Sequence, residues 1–195
     1  MADLDAILPV VLVGGQSRRF GRDKLLEPIP GSQGRVLVDV AIGALREVFR
    51  ARVRVCGRCD ALVMARADGV IEDVHAGAGP MGGIASALRA GGAVFVLSGD
   101  LPGIDAGAVR RVLSEADSHP SALAVVAKTD RLHPCIGLYR AACAMRFESA
   151  LAEGRRSLVD VLGALGSGLV TCDIEPRAAA NVNTPEELDA HLRSG

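Results

Sequence analysis

Aromatic side chains are scarce in this chain: 195 residues include no Trp, one Tyr and four Phe, 3% in all. Val, Leu, Ile and Ala must therefore fill the core, and apolar residues reach 49% of the sequence. Such material favours buried parallel strands covered by helices. Net charge is nearly absent as well, at −1. No global field then draws the protein to nucleic acid or to an anionic membrane. Basic residues do gather locally, at Arg18, Arg19, Arg22 and Lys24. Long hydrophobic runs are missing, and the apolar stretch over 6–13 is far too short to span a bilayer. The opening Met1-Ala2-Asp3-Leu4-Asp5 carries acid where a signal peptide carries base. Five irregularly spaced cysteines, an odd number, argue against a disulfide framework. The expectation is a soluble protein of the reducing cytoplasm.

Short apolar runs alternate with helical stretches almost from end to end. Strands are predicted over 7–13, 52–56, 69–72, 93–97, 122–127, 135–139 and 169–173. Helical spacing marks 36–49, 61–66, 81–90, 105–116 and 141–153. Ser157 with Asp160 resembles a capping box, and Thr184-Pro185-Glu186-Glu187 opens the last helix. No repeat, low-complexity tract or linker interrupts the pattern, so residues 1–195 read as a single α/β domain. The architecture expected is a three-layer, doubly wound, mostly parallel sheet. Ligands of such sheets bind at the carboxyl ends of the strands, so the residues that follow strands are the informative ones.

The first strand runs directly into Gly14-Gly15, where backbone N–H groups can approach a ligand with no Cβ in the way. Arg18, Arg19 and Lys24 follow within a dozen residues and supply cationic donors for phosphate. A glycine turn beside a solvated basic patch has the same composition. The strand before it and the cluster after it favour a triphosphate loop. Neither the Walker A spacing nor the dinucleotide Gly-x-Gly-x-x-Gly spacing is present, which disfavours an NAD-dependent dehydrogenase. Ser98-Gly99-Asp100-Leu101-Pro102 comes directly after the strand over 93–97. There Asp100 either shapes a turn or presents a carboxylate to Mg²⁺, which prefers a few carboxylates plus substrate phosphates. Asp73 ends another strand and is followed by Ala76-Gly77-Ala78-Gly79-Pro80-Met81-Gly82-Gly83, read as a flexible loop able to lie against a ligand.

Leu12-Val13-Gly14-Gly15-Gln16-Ser17-Arg18-Arg19-Phe20-Gly21-Arg22-Asp23-Lys24 closely resembles the signature loop of the molybdenum cofactor guanylyltransferases, the MobA family of Rossmann-like nucleotidyltransferases. The resemblance implies that Leu12, Val13, Gly14 and Gly15 meet the nucleotide and that Lys24 meets its phosphates. Lys24, Arg18, Arg19 and Asp100 would form the catalytic set, with Asp100 holding Mg²⁺. Glu72-Asp73 followed by Gly79-Pro80-Met81-Gly82-Gly83 is similar to a further family pattern, which places Asp73 on the nucleoside and Gly79 along the ribose. Arg131-Leu132-His133-Pro134, ahead of a strand, stands where the family carries His-Pro. Gly154-Arg155-Arg156-Ser157 resembles the family's turn near the pterin, and Asn181-Val182-Asn183-Thr184-Pro185-Glu186-Glu187-Leu188 is nearly the family's own. Arg155, Arg156, Asn181 and Asn183 would thus face the pterin. The implied reaction moves GMP from GTP to the terminal phosphate of molybdopterin with release of pyrophosphate. The implied partners are those two substrates, with transient contacts to cofactor-biosynthesis proteins or molybdoenzymes.

Two departures matter. A single residue, Arg22, separates Gly21 from Asp23-Lys24 where some members have two, and Cys56 ends the second strand where better-known members place an Asn near the base or ribose. A cytidylyltransferase acting on the same pterin, or an enzyme using a sugar or alditol phosphate, therefore stays open. A non-catalytic handover protein on this fold would be expected to lack Asp100 or Lys24, and both are present. Cys56 and Cys59 are spaced like half a zinc site or a redox pair. No second pair with zinc spacing exists, although Cys135, Cys143 and His133 could converge on one.

Overall fold

The computed structural model describes residues 3–14, 23–50 and 52–193. Strand β1 (Ile7–Leu12) is followed by α1 (Val38–Val48), β2 (Arg54–Cys56), α2 (Ala61–Met64) and β3 (Gly69–Ile71). Next come α3 (Gly79–Gly91), β4 (Ala93–Ser98), α4 (Ala106–Ser118), β5 (Ala124–Lys128) and β6 (Leu132–Tyr139). The chain closes with α5 (Cys143–Ala152), α6 (Leu158–Gly163), β7 (Leu169–Asp173), α7 (Pro176–Ala179) and α8 (Pro185–Arg193). All seven strands lie in one sheet ordered β3-β2-β1-β4-β6-β5-β7. Every pairing is parallel except those of β6, which runs antiparallel to both β4 and β5. No helix among the described residues is long and apolar enough to cross a membrane.

Because successive strand residues point to opposite faces, each buried strand feeds two cores. Val11, Phe95, Leu97 and Val125 pack with α1 and α4. Their neighbours Val10, Val94, Val96 and Val126 pack with α3, α5 and α6. The aromatics among the described residues are divided between the layers: Phe49 meets Phe95 in the first and Tyr139 meets Phe147 in the second, both with ring centroids 5.7 Å apart. A small third cluster, Leu37, Val182 and Leu188, seats α8 at the carboxyl rim.

Two expectations needed correction, and one element was missed. The glycine-rich stretch 76–83 is not a free loop, because α3 begins at Gly79 and contains Gly82 and Gly83, both buried. Proline at the first helical turn starts the helix, as its missing N–H has no partner to lose there. Leu132-His133-Pro134 does not precede β6 but belongs to it. A bulge between Val126 and Ala127 interrupts the ladder opposite that stretch, which is where a strand accommodates proline. Helix α7 was not foreseen. The capping residues did behave as read: Asp105 accepts from the Ala108 N–H at 2.8 Å, Ser157 from Asp160 at 3.3 Å and Thr184 from Glu187 at 3.2 Å.

Candidate active site

The strand order reverses between β1 and β4: the chain continues from β1 to β2 and β3 on one side, then returns to β4 on the other. Such a switch point opens a crevice outside the carboxyl ends of the two strands. Gly14 follows β1 and Asp100 follows β4, so both stand at its mouth. There the Lys24 ammonium meets the Asp100 carboxylate, Nζ to Oδ2, at 2.7 Å, and each side chain is 14% exposed. Lys24 also donates to the Val182 carbonyl and to Oδ1 of Asn183, both at 3.1 Å. The other oxygen of Asp100 accepts from the Ser98 hydroxyl at 2.6 Å. Residues far apart in the sequence are thus drawn to one point. The main chain reinforces it, since the Val182 N–H donates to the Asp100 carbonyl at 3.1 Å.

Backbone bonds fasten the ends of β1, β2 and β4 together. The Val13 N–H donates to the Cys56 carbonyl at 2.9 Å, and the Gly99 N–H to the Leu12 carbonyl at 3.1 Å. The Val13 side chain is buried in the core, whereas Gly14 is exposed with φ 137°, a left-handed conformation open to glycine. Gly57, at φ 124°, crosses under this loop so closely that a Cβ there would lie 1.6 Å from the Val13 carbonyl oxygen. Sequence reasoning did not single out Gly57; a glycine directly after the second strand was its only signal. Gly15, Arg18 and Arg19 lie outside the described residues.

Gly14 and Lys24 at the two ends of the first loop, a carboxylate after the fourth strand and an oxygen-rich Asn segment converge at the switch point, and residues 9–167 match the MobA-like NTP transferase domain. The chain belongs to this family. It is 31% identical over 205 residues to a probable molybdenum cofactor guanylyltransferase of Opitutus terrae, covering 98% of each chain. A molybdenum cofactor guanylyltransferase of Rhizobium johnstonii is 31% identical over 206 residues, covering 95% of this chain and 91% of the relative. The crystal structure of molybdopterin-guanine dinucleotide biosynthesis protein A from Archaeoglobus fulgidus superposes with a TM-score of 0.75 at 25% identity, over 96% of this chain and 98% of that one.

Within this MobA-like domain, Asp73 is fixed by its own turn. Its Oδ1 accepts from the His75 N–H at 3.0 Å and from the Ser86 hydroxyl at 3.3 Å. Ser86, 3% exposed on α3, also accepts from the Val74 N–H at 3.1 Å and lies 2.8 Å from the Gly82 carbonyl. Gly83 lets α3 approach β1, since a Cβ there would stand 3.1 Å from Leu12. Cys56 lies beneath this first turn, 1% exposed, its thiol 3.5 Å from the Gly83 carbonyl. Burial, helped by the Asp73 carboxylate, pushes that thiol up to about 12. Position 56 therefore offers no side chain to a base. Asp73 and Gly79, which opens α3 at φ 68°, stand on the β2 side of the crevice.

The two halves of the expected pterin set are placed differently. Asn183 joins the Lys24–Asp100 centre directly, its backbone N–H held by Glu187 Oε2 at 2.6 Å. Asn181 is exposed two residues earlier. Arg155 and Arg156 make local contacts instead, Arg155 to Glu153 at 2.9 Å and Arg156 to the Leu151 carbonyl at 3.4 Å. Arg156 lines a cleft of about 250 Å³ with His75, Ala76, Ala78, Glu148, Leu151 and Ala152. That cleft joins the turn after Asp73 to the end of α5, the side of the domain covered by the α3 and α5 layer. His133 pairs with the Thr129 hydroxyl at 2.7 Å, and burial lowers its pKa.

Among the described residues no three His, Cys, Asp or Glu side chains are grouped to hold an ion. Burial, followed by the charges of Asp23 and Asp60, raises Cys59 to about 11, the wrong direction for a thiolate ligand or nucleophile. Cys135 is raised to about 12 by burial and by the nearby Asp100 carboxylate. It is a neighbour of the site that its sequence context did not reveal.

Proposed function

We propose that this protein is a molybdenum cofactor guanylyltransferase: it transfers GMP from GTP to the terminal phosphate of molybdopterin and releases pyrophosphate. The observation that carries the reading is the meeting of Lys24, Asp100 and Asn183 at the switch-point crevice. Family membership and the relatives' names support the choice of nucleotide and acceptor.

Mg²⁺ is the metal we assign to Asp100. The donor set fits: a carboxylate, an amide oxygen and a main-chain carbonyl are aimed at one cationic atom, Lys24 Nζ, and hard oxygen donors suit Mg²⁺. When bound, the metal would neutralise charge on the transferring phosphoryl group. The protein supplies position and field. Gly14 and Gly15 bring backbone N–H groups to the triphosphate, with Leu12 and Val13 shaping the strand end beneath it. Lys24, Arg18 and Arg19 steady the phosphates, while Asp73 and Gly79 border the nucleoside. Arg155, Arg156, Asn181 and Asn183 orient the acceptor. An oxygen of the acceptor's terminal phosphate then forms a bond to the α-phosphorus, and the bond from that phosphorus to the β-bridging oxygen breaks. Pyrophosphate leaves with the electron pair. The attacking phosphate is already ionised, so no protein nucleophile is needed.

The deciding experiment incubates the purified protein with molybdopterin, Mg²⁺ and either GTP or CTP, measuring pyrophosphate and the dinucleotide product. A guanine dinucleotide formed with GTP and little product with CTP is expected. A preference for CTP would overturn the choice of base, and failure with both would overturn the acceptor.

A further inference from the structure

We propose that Lys24 is a built-in stand-in for the divalent cation, filling the cation position beside Asp100 until nucleotide phosphates draw it away. The inference rests on the nucleotidyl-transfer reading and adds a coupling that the reading does not require. Its basis is the geometry around Nζ. The ammonium lies 2.7 Å from Asp100 Oδ2, 3.1 Å from the Val182 carbonyl and 3.1 Å from Asn183 Oδ1. These oxygens come from a side-chain carboxylate, the main chain and a side-chain amide, with no nitrogen or sulfur among them, as in a site for a hard divalent ion.

The oxygens are also held in place by bonds that do not involve Lys24. Ser98 fixes Asp100 Oδ1 at 2.6 Å. Val182 is 2% exposed, packed with Leu37 and Leu188, and its N–H is tied to the Asp100 carbonyl. Glu187 holds the Asn183 N–H at 2.6 Å within the box that caps α8. Removing the ammonium would therefore leave the oxygen set assembled. Lys24 itself sits at the start of a single 3-10 turn, Lys24–Leu26, capped by Asp23, at the end of the phosphate-binding loop. Its long side chain can exchange a carboxylate for a phosphate while its backbone stays put.

An ammonium and a divalent ion cannot share the same three oxygens. The free protein should then bind metal weakly, and nucleotide should strengthen metal binding by relocating Lys24 as well as by offering phosphate ligands. Because such coupling is reciprocal, metal tightens nucleotide binding by the same factor. Lys24 is thereby a device that keeps the carboxylate neutralised until both substrate components arrive.

The test titrates the full-length protein, without nucleotide, with Mn²⁺ monitored by electron paramagnetic resonance. Lys24→Met and Lys24→Gln are compared with the unaltered chain after circular dichroism establishes folding. Removal of the competing cation should tighten Mn²⁺ binding by about tenfold, within the usual range of coupling between sites. Adding Asn183→Ala to Lys24→Met should weaken it again several-fold. Folded variants that bind Mn²⁺ no more tightly than the parent would overturn the proposal. If neither variant folds, the parent decides through chemical acetylation. The sequence has two lysines, Lys24 and Lys128. Saturating Mg²⁺ should raise the reactivity of Lys24 relative to Lys128, and an unchanged ratio would overturn the idea. Calorimetric binding of GTP to the parent, measured separately, reports on the transferase reading, so the two failures are distinguishable.

Discussion

Gly57 passes beneath Val13 with no room for a side chain: a Cβ on residue 57 would lie 1.6 Å from the Val13 carbonyl oxygen and 2.8 Å from its carbon. The obstacle is backbone rather than a pliable side chain, and the positive φ of 124° adds strain for any other residue. Relief must come from lifting the end of β1, the segment that presents Gly14. Gly57→Ala is therefore expected to cost on the order of 1–3 kcal/mol of stability, read from urea denaturation. It should also weaken GTP binding at least about tenfold by calorimetry. Unaltered binding in the folded variant would mean that the first loop can shift without touching nucleotide.

Ser86 links three parts of the turn after β3 that we assign to the nucleoside: the Val74 N–H, the Gly82 carbonyl and Asp73. Replacing its hydroxyl leaves a part-buried N–H without this acceptor, a loss of about 1–3 kcal/mol. Ser86→Ala should lower the melting temperature and raise the KM for GTP more than it lowers kcat, since Asp73 is disordered while Asp100 is untouched. A fall in kcat alone would contradict the assignment of this turn to nucleoside binding.

How much of this was visible beforehand differs from one residue to the next. The runs over 7–13 and 93–97 announced β1 and β4, and a carboxylate or glycines directly after a strand marked the rim. Yet a strand buried on both faces carries no alternation, so nothing in the sequence told Val10 from Val11, or showed that Cys56 points under α3 and away from the crevice. Gly79-Pro80-Met81-Gly82-Gly83 has loop composition, but Pro80 sits where a helix begins and the glycines are small because neighbours are close. A Cβ at Gly82 would approach the His75 carbonyl to 2.9 Å. The Lys24–Asp100 pair spans 76 residues. Each residue is legible in the sequence as a site candidate, but only the fold brings them together. The same holds for Asn183, whose amide oxygen turns toward Lys24 because Glu187 and the Val182 backbone fix its segment.

His191 on α8 ties stability to pH. Its Nε2 is shielded from solvent and has no hydrogen-bond partner among the described residues. Gly103 lies so near that a Cβ there would be 2.8 Å from that nitrogen. Burial first, and then the charge of Arg177, lowers the imidazole pKa. The unfolded chain, with an ordinary value near about 6.5, binds the proton more readily than the folded one. Stability is thus complete above that value and is lost as pH falls through the folded-state pKa. Melting temperatures measured at about pH 7.5 and about pH 5.5 should fall with acid. His191→Gln, which cannot titrate, should show a smaller fall. Equal falls in the two proteins would assign the acid sensitivity to other groups, His133 foremost, since burial depresses it too.

Asp100→Ala separates the structural from the chemical duty of that carboxylate. The Val182 N–H bonds to the backbone carbonyl of residue 100, so the alanine variant keeps the contact that docks the Asn183 segment. The apolar seat of Leu37, Val182 and Leu188 is also intact. What disappears is the negative charge opposite Lys24 and the carboxylate oxygen offered to a cation. The variant should remain folded by circular dichroism while pyrophosphate release from GTP and molybdopterin falls at least about a hundredfold, the scale of losing one preorganised electrostatic group in an active site. Metal-free GTP binding should change far less, and Lys24, released from its partner, should become more reactive toward acetylation. Full turnover in a folded Asp100→Ala protein would remove the carboxylate from the chemistry and leave its pairing with Lys24 as a structural tie alone.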